Sequence, residues 1–196
     1  MREVPAAIAA KIPAAASVFA EHGFDDAKID DVARSIGVPR ATLYYYFSGK
    51  EDILAFLLRT LLEDVAAEVQ RAVSGEGDGV ARLRAALRAQ LEALAGNPET
   101  AQLLVANIGR AGRLADIAVA VNAAFHDPVI TILRAGIEDG SIRGVDPERA
   151  ASALFGAVIL TGLHEIVLRG GLDPDDVLDD VSIVVLDGLA NRKGRP

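Results

Sequence analysis

Tyr44, Tyr45 and Tyr46 are the only tyrosines of the chain, and they are consecutive. They stand in the run Arg40-Ala41-Thr42-Leu43-Tyr44-Tyr45-Tyr46-Phe47, with Lys50 shortly after it. A buried core rarely takes adjacent phenols, because each hydroxyl that leaves water needs a partner. Exposed, the same residues form a dense set of donors: phenols, a guanidinium, a threonine hydroxyl and an ammonium. Such a set suits phosphate oxygens and the edges of bases. The alternative is packing, with each ring partly buried and its hydroxyl turned to solvent.

The elements around these residues decide between the two. Pro39 suits the first position of a helix that runs to about Phe47. On that helix Leu43 and Phe47 are four residues apart and share the core face. Arg40, Ala41, Thr42 and Tyr45 lie largely away from it, where they can approach base edges, while Tyr44 and Tyr46 flank that surface within reach of backbone phosphates. A short helix from about Ile29 to Ser35 precedes it, joined by the tight turn Ile36-Gly37-Val38, so the two form a helix-turn-helix. Upstream, Ile8, Ile12, Ala16 and Phe19 line one face of a first helix ended by Gly23, which Pro13 either kinks or restricts to the part after Ile12. Downstream, Ser48 and Glu51 have the spacing of a capping box that opens a long helix with the stripe Ile53, Leu54, Leu57, Leu58, Leu61 and Val65. Lys50, on its first turn, adds a cation beside the same phosphates.

With these residues in view, the stretch "IDDVARSIGVPRATLYYYFSGKEDIL" resembles the TetR family of bacterial transcriptional regulators. The match runs from about Ile12 to Leu54, and the rest of the chain is similar to the family only in overall plan. The resemblance implies that Ala33, Gly37 and Val38, with Leu43 and Phe47, form the packing core of the helix-turn-helix. It assigns Arg40, Ala41, Thr42 and Tyr45 to base contacts, and Tyr44, Tyr46 and Lys50 to phosphates. Two positions depart from the family. Lys28 replaces a frequent small hydroxyl residue and can reach a phosphate; Asp30 replaces a frequent basic or polar one and repels the DNA backbone unless it faces away or accepts from a cytosine. The implied function is a homodimeric repressor that binds a palindromic double-stranded DNA operator and is released by a small-molecule effector.

Beyond the glycine-rich "SGEGDG" at 74–79, helices are expected over Val80 to Ala95, Pro98 to Ile108, Leu114 to Val121, Phe125 to Asp139, Pro147 to Arg169 and Asp175 to Ala190. The fold class is therefore all-α: an N-terminal helix-turn-helix domain over 1–49, a larger helical effector-binding and dimerisation domain over 50–190, and a tail over 191–196. The apolar stripes Leu154, Val158 and Thr161, with Phe155 and Gly162 alongside, and Val177, Val181 and Val184 fit a four-helix interface between two copies. Polar residues among apolar neighbours, namely Gln102, Asn107, Asn122, His126 and His164, are candidates for orienting an effector. Phe125 and Phe155 are nearly the only aromatic rings beyond the head, which favours an aliphatic or compact ligand over a large planar one. Arg110 and Arg113 are candidates to meet an acidic effector.

Composition narrows the remaining classes. The chain has 196 residues, 51% hydrophobic and 24% charged, enough for a sizeable core. The absence of cysteine removes disulfides, thiol catalysis and thiolate metal sites. The three histidines show no metal-ligand spacing, and no nucleophile–base pair can be assigned, so neither a catalytic site nor a metal or cofactor is expected. The N-terminus lacks a signal-peptide plan, and the apolar run Ala150 to Leu163 is too short to span a bilayer, which reads as a cytoplasmic protein with no membrane partner. A net charge of −8 argues superficially against nucleic acid, yet between Val32 and Lys50 there are three basic residues and no acidic one. The alternative function is a helical protein-interaction module that no longer binds specific DNA.

Overall fold

The computed structural model describes residues 3–107 and 115–186. Among them every regular element is helical. Arg110, Arg113, Ile108, Leu114, Leu189, Ala190 and the segment 191–196 lie outside the described residues.

The chain divides into two compact units. The first comprises 1–61 and 99–118, the second 62–98 and 119–196. In the first, Pro13 decides how the N-terminal helix forms. A short α1 (Ala6–Ala9) gives way to a 3-10 turn (Ile12–Ala14) containing Pro13, and the helix proper is α2 (Ala15–His22). Ile12, Ala16 and Phe19 are buried, whereas Ile8, before the break, is half-buried. Gly23 ends α2 at φ +75°, a backbone conformation that glycine adopts without strain. Then follow α3 (Ile29–Ser35), α4 (Arg40–Tyr46), α5 (Lys50–Val73, whose residues from Leu62 on belong to the second unit) and α7 (Pro98–Ala106).

The second unit begins with the remainder of α5 and continues with α6 (Gly79–Gly96). The next helix starts as α8 (Ala115–Val121, whose residues up to Ala118 belong to the first unit), passes through a π turn (Asn122–His126) and continues as α9 (Asp127–Glu138). Two more helices, α10 (Pro147–His164) and α11 (Pro174–Val181), each run on into a π turn, Glu165–Arg169 and Ser182–Leu186. Asp78, Asp146 and Asp173 cap α6, α10 and α11 with side-chain oxygens that accept from backbone amides. The amide of Arg149 above all holds the Asp146 carboxyl below the usual range.

Helix α6 is the hub of this unit, packed by α9, α10 and α11. Leu83, Ala86, Leu87, Leu91 and Leu94 form its buried face. Arg84 and Arg88, one turn apart, donate to Asp179 and Asp175 of α11, and Arg84 Nη1 also donates to Ser182 Oγ at 2.7 Å. Where α6 crosses α9 the backbones nearly touch. A Cβ on Gly79 would sit 2.6 Å from Gly136 Cα and 2.8 Å from Ser141 Oγ. The same Ser141 hydroxyl accepts from the Gly79 amide at 3.0 Å, so the crossing is both tight and hydrogen-bonded.

By length and composition alone, the 23-residue helix Pro147–Arg169 and the 22-residue helix Ile117–Glu138 could each cross a bilayer, contrary to the expectation from the shorter apolar run. In the fold, Ala151, Leu154, Val158, Ile159 and Gly162 of the former are buried.

The glycine crossing yields a test. Gly79→Ala is expected to lower stability by about 1–3 kcal/mol in urea unfolding, because the new methyl meets backbone rather than a yielding side chain. A loss below about 0.5 kcal/mol would mean that the helices can part there freely.

Candidate nucleic-acid interface

The recognition surface rests on α4, a helix of only seven residues. So short a helix does not hold itself in water and must be held by packing. Leu43 and Phe47, each 1% exposed, supply the hold, and the Phe47 ring meets Phe56 of α5 edge-on at 5.8 Å between centroids. Ala33 is buried under the same turn, and Val38 is half-buried, its amide donating to the Ala33 carbonyl at 3.1 Å. Gly37 differs from the expected packing role. It is exposed, and it serves the turn through its backbone, at φ +65°.

Pro39 is the residue before the helix rather than its first turn. At φ −59° and ψ 142° it stands as the N-cap, and it offers no side-chain oxygen to the first amides. Leu43 and Phe47 turned inward leave Arg40, Ala41, Tyr44 and Tyr45 exposed and Thr42 and Tyr46 half-exposed. Tyr45 is 57% and Tyr44 47% accessible, so packing alone does not account for them. The Tyr46 ring meets Tyr45 edge-on at 4.9 Å, and together they make a ridge along the outer side of α4. Lys28, exposed at the N-cap of α3, adds a cation.

Two charged residues behave differently from the sequence reading. The Lys50 ammonium donates to the carbonyls of Asp25 and of Ala27, the latter at 3.2 Å, and lies 5.2 Å from the Phe24 ring centroid. As it stands it ties the start of α5 to the α2–α3 loop rather than pointing at a phosphate. Nothing in the local spacing signals this, since the partners are main-chain atoms more than twenty residues away. Asp30, which the sequence left as a source of repulsion, is paired. Arg40 Nη1 lies 2.8 Å from its Oδ1 and 3.0 Å from its Oδ2. The Tyr44 hydroxyl accepts from Arg40 Nη2 at 3.3 Å, and that hydroxyl first, with the Asp30 charge, holds the guanidinium in its protonated form more firmly than usual. Arg34 is likewise paired, with Asp31 at 2.9 Å. The capping box also changes partner: the Ser48 amide donates to Asp52 Oδ2 at 2.8 Å, and Glu51 is exposed.

The remaining candidates separate by unit. Gln102 and Asn107 line a cavity of about 280 Å³ in the first unit together with Phe19, Gly23, Phe24 and Leu103. Asn107 is buried, its side-chain amide donating to Leu103 O at 2.9 Å. In the second unit the His126 ring packs on Phe155 at 4.8 Å and Phe125 on Phe155 at 5.3 Å, so these three form one cluster. His126 Nε2 is buried without a hydrogen-bond partner. Sequence reasoning missed Gln90, which is 1% exposed and whose Nε2 donates to the Phe125 carbonyl at 3.3 Å. A π turn leaves a carbonyl out of the α pattern, and Gln90 satisfies it. Asn122 and His164 are exposed on helix surfaces.

The expected dimer stripe needs correction. Leu154, Val158, Gly162, Val177 and Val181 are buried in this chain's own packing, Gly162 against Leu91, Leu94 and Leu172, so they have no surface left for a second copy. Phe155 and Thr161 are half-buried, and Val184 alone of the set is fully outward, at 79% exposed. Among the described residues of these two helices and the π turns that extend them, the large apolar side chains that face out are Leu160, Val167 and Leu168 on α10 with its π turn, and Ile183 beside Val184.

Comparison with known proteins agrees with this architecture. A family model described as "Bacterial regulatory proteins, tetR family" matches residues 12–56, and one described as "Tetracyclin repressor-like, C-terminal domain" matches residues 76–189. The HTH-type transcriptional repressor KstR2 of Rhodococcus jostii is 27% identical over 184 residues, covering 90% of this chain and 88% of that one. The fatty acid metabolism regulator protein of Bacillus subtilis is 26% identical over 187 residues, covering 92% and 94%. Among solved structures, the Bacillus subtilis transcriptional regulator FadR in complex with stearoyl-CoA superposes with a TM-score of 0.77 at 22% identity, covering 91% of this chain and 97% of that one.

The Lys50 geometry separates two roles. Lys50→Ala is expected to cost about 1–2 kcal/mol of stability in urea unfolding, as a charged donor to two carbonyls is lost. DNA affinity should fall with it while the dependence on salt stays nearly unchanged. Unaltered stability with a salt slope smaller by about one would return Lys50 to a direct phosphate contact.

Proposed function

This chain is a member of the TetR family of bacterial regulatory proteins, and on that premise we propose that it is a homodimeric transcriptional regulator that binds a palindromic operator and is released from it by a small-molecule effector. The observation that carries the DNA-binding half is the orientation of α4: Leu43 and Phe47 are buried, so Arg40, Ala41, Tyr44 and Tyr45 face solvent side by side. Thr42 and Tyr45 read bases in this proposal, with Tyr44, Tyr46 and Lys28 on flanking phosphates. The partner surface is the outward apolar set Leu160, Val167, Leu168, Ile183 and Val184, which a second copy would cover by two-fold symmetry. Two heads then meet two half-sites.

The effector reading takes its ligand class from the relatives. The Bacillus subtilis matches comprise a fatty acid metabolism regulator and a structure of FadR with stearoyl-CoA, which favours a long-chain acyl thioester. The cluster of His126, Phe125 and Phe155 in the second unit supports it, since the unpartnered ring nitrogen gives an acyl carbonyl a hydrogen-bonding anchor among apolar walls. Binding would bias the equilibrium between head spacings through α5, a helix whose residues fall in both units.

Selection of genomic DNA fragments by the purified protein at physiological salt tests the first half. A single enriched palindrome is expected, and Thr42→Ala or Tyr45→Ala should change which bases it contains. Binding of another protein in place of DNA, insensitive to salt, would instead favour the interaction-module reading.

For the second half, stearoyl-CoA is the first probe. It should weaken operator binding about tenfold or more, and His126→Leu should raise the concentration needed by roughly tenfold while leaving operator affinity alone. Equal affinity of stearoyl-CoA for free and DNA-bound protein would rule out this effector as the releasing signal.

A further inference from the structure

We propose that Asp30 is a specificity-determining positioning residue: its carboxylate, reaching from α3 to the recognition helix, holds the Arg40 guanidinium where it reads one guanine in each operator half-site. The inference rests on the DNA-binding reading of α4 and adds to it a residue on the preceding helix that need touch no base.

Arg40 is the first residue of α4 and its side chain is 56% exposed. An arginine so placed samples many rotamers, and ordering it on a base costs entropy at the moment of binding. Here it is held from two sides before any DNA arrives. Asp30 grips Nη1 through both oxygens, at 2.8 and 3.0 Å. Tyr44, one turn along α4, accepts from Nη2 at 3.3 Å, and its ring centroid lies 5.3 Å from the guanidinium carbon. The donors of a guanidinium outnumber these acceptors, so a fork remains for an outside partner. The major-groove edge of guanine, with O6 and N7 as neighbouring acceptors, is the base edge such a fork fits best.

The pair has little to do with holding the fold. Both side chains are more than half exposed, and an ion pair in that setting adds little stability. Helices α3 and α4 are already joined by the Val38–Ala33 backbone bond and by buried Ala33 and Leu43. Arg34 and Asp31 supply an internal contrast: that pair lies within α3 alone and orients nothing on α4. Asp30 also carries a negative charge into the surface that would face the phosphates. It therefore discourages binding wherever Arg40 finds no base to repay it, which sharpens discrimination at the expense of affinity.

The test compares wild type, Asp30→Asn, Asp30→Glu, Arg40→Ala and the Asp30→Asn/Arg40→Ala double variant, each against a library of randomised duplexes and then against single-base variants of the selected site. Wild type should prefer guanine at one position per half-site by about tenfold or more. Asp30→Asn should flatten the preference at that position to within about threefold and leave the others intact, as Arg40→Ala does; the double variant should go no further. Asp30→Glu should restore part of the preference. Thermal unfolding of Asp30→Asn close to that of wild type excludes a fold defect as the cause.

Uniformly tighter binding by Asp30→Asn with the base preference unchanged would reduce Asp30 to an electrostatic brake and overturn the inference. So would an Arg40→Ala variant that keeps the wild-type preference at every position. Failure of the wild type to select any site would instead strike the DNA-binding reading and carry this inference with it.

Discussion

The recognition surface depends on the burial of two side chains, Leu43 and Phe47. A seven-residue helix has too few internal hydrogen bonds to outweigh the cost of nucleating it. Its existence and its rotation about its own axis are therefore set from outside, by the pocket those two residues fill. Everything presented to solvent follows from that rotation. With Leu43 and Phe47 inward, Arg40, Ala41, Tyr44 and Tyr45 have nowhere else to go. The turn before α4 is stiffened in the same way, by Gly37 at positive φ and by the Val38 amide on the Ala33 carbonyl. A rigid presentation matters because contacts to base edges are directional, and a helix free to roll would lose them first.

Most of the basic side chains on this surface are already engaged within the chain. A chain of net charge −8 gains little long-range pull toward DNA. The head adds less cationic field than its residue count suggests, since Arg34 and Arg40 face Asp31 and Asp30 at salt-bridge distance and Lys50 is turned onto main-chain carbonyls. Each pairing trades a free cation for a fixed one. Non-specific affinity is the part of binding that free cations supply, so its reduction leaves specificity to carry the complex.

Much of this was legible in the sequence because local chemistry dictated it. The bounds of α3 were read as they stand, and the glycine-rich "SGEGDG" marked the break between α5 and α6, although Asp78 as the cap that starts α6 at Gly79 was not read. Pro13 signalled the break before α2, although spacing alone did not choose between a kink and a detached first turn. The inward pair Leu43 and Phe47 followed from their separation of four residues. What spacing did not reveal are contacts whose partners are remote in sequence or lie on the main chain. Lys50 on the Asp25 and Ala27 carbonyls is one, Asp30 on Arg40 another, and Gln90 on the Phe125 carbonyl a third. The capping box failed for a finer reason. Ser48 offered its amide to a carboxylate four residues on, and Asp52 was placed to take it where Glu51 was not.

The dimer stripe shows a different limit, one of phase. Val177, Val181 and Val184 fall on one face of an ideal α-helix, which has 3.6 residues per turn. From Ser182 the helix winds as π, with i→i+5 bonds and more residues per revolution. Residues beyond Val181 therefore lag behind the α phase. Val184 swings outward to 79% exposure, while Leu186, which an α-helix would have turned toward solvent, returns to the buried face at 3%. One local change in winding thus sorts neighbouring apolar residues between the core and the surface. Helix α10 makes the same division without losing phase. Its apolar residues wrap more than half its circumference, so Leu154 and Val158 pack inward while Leu160 stands outward at 67%. A helix apolar all round has two partners to satisfy, and hydrophobic periodicity alone identifies the faces without saying which of them belongs to the chain itself.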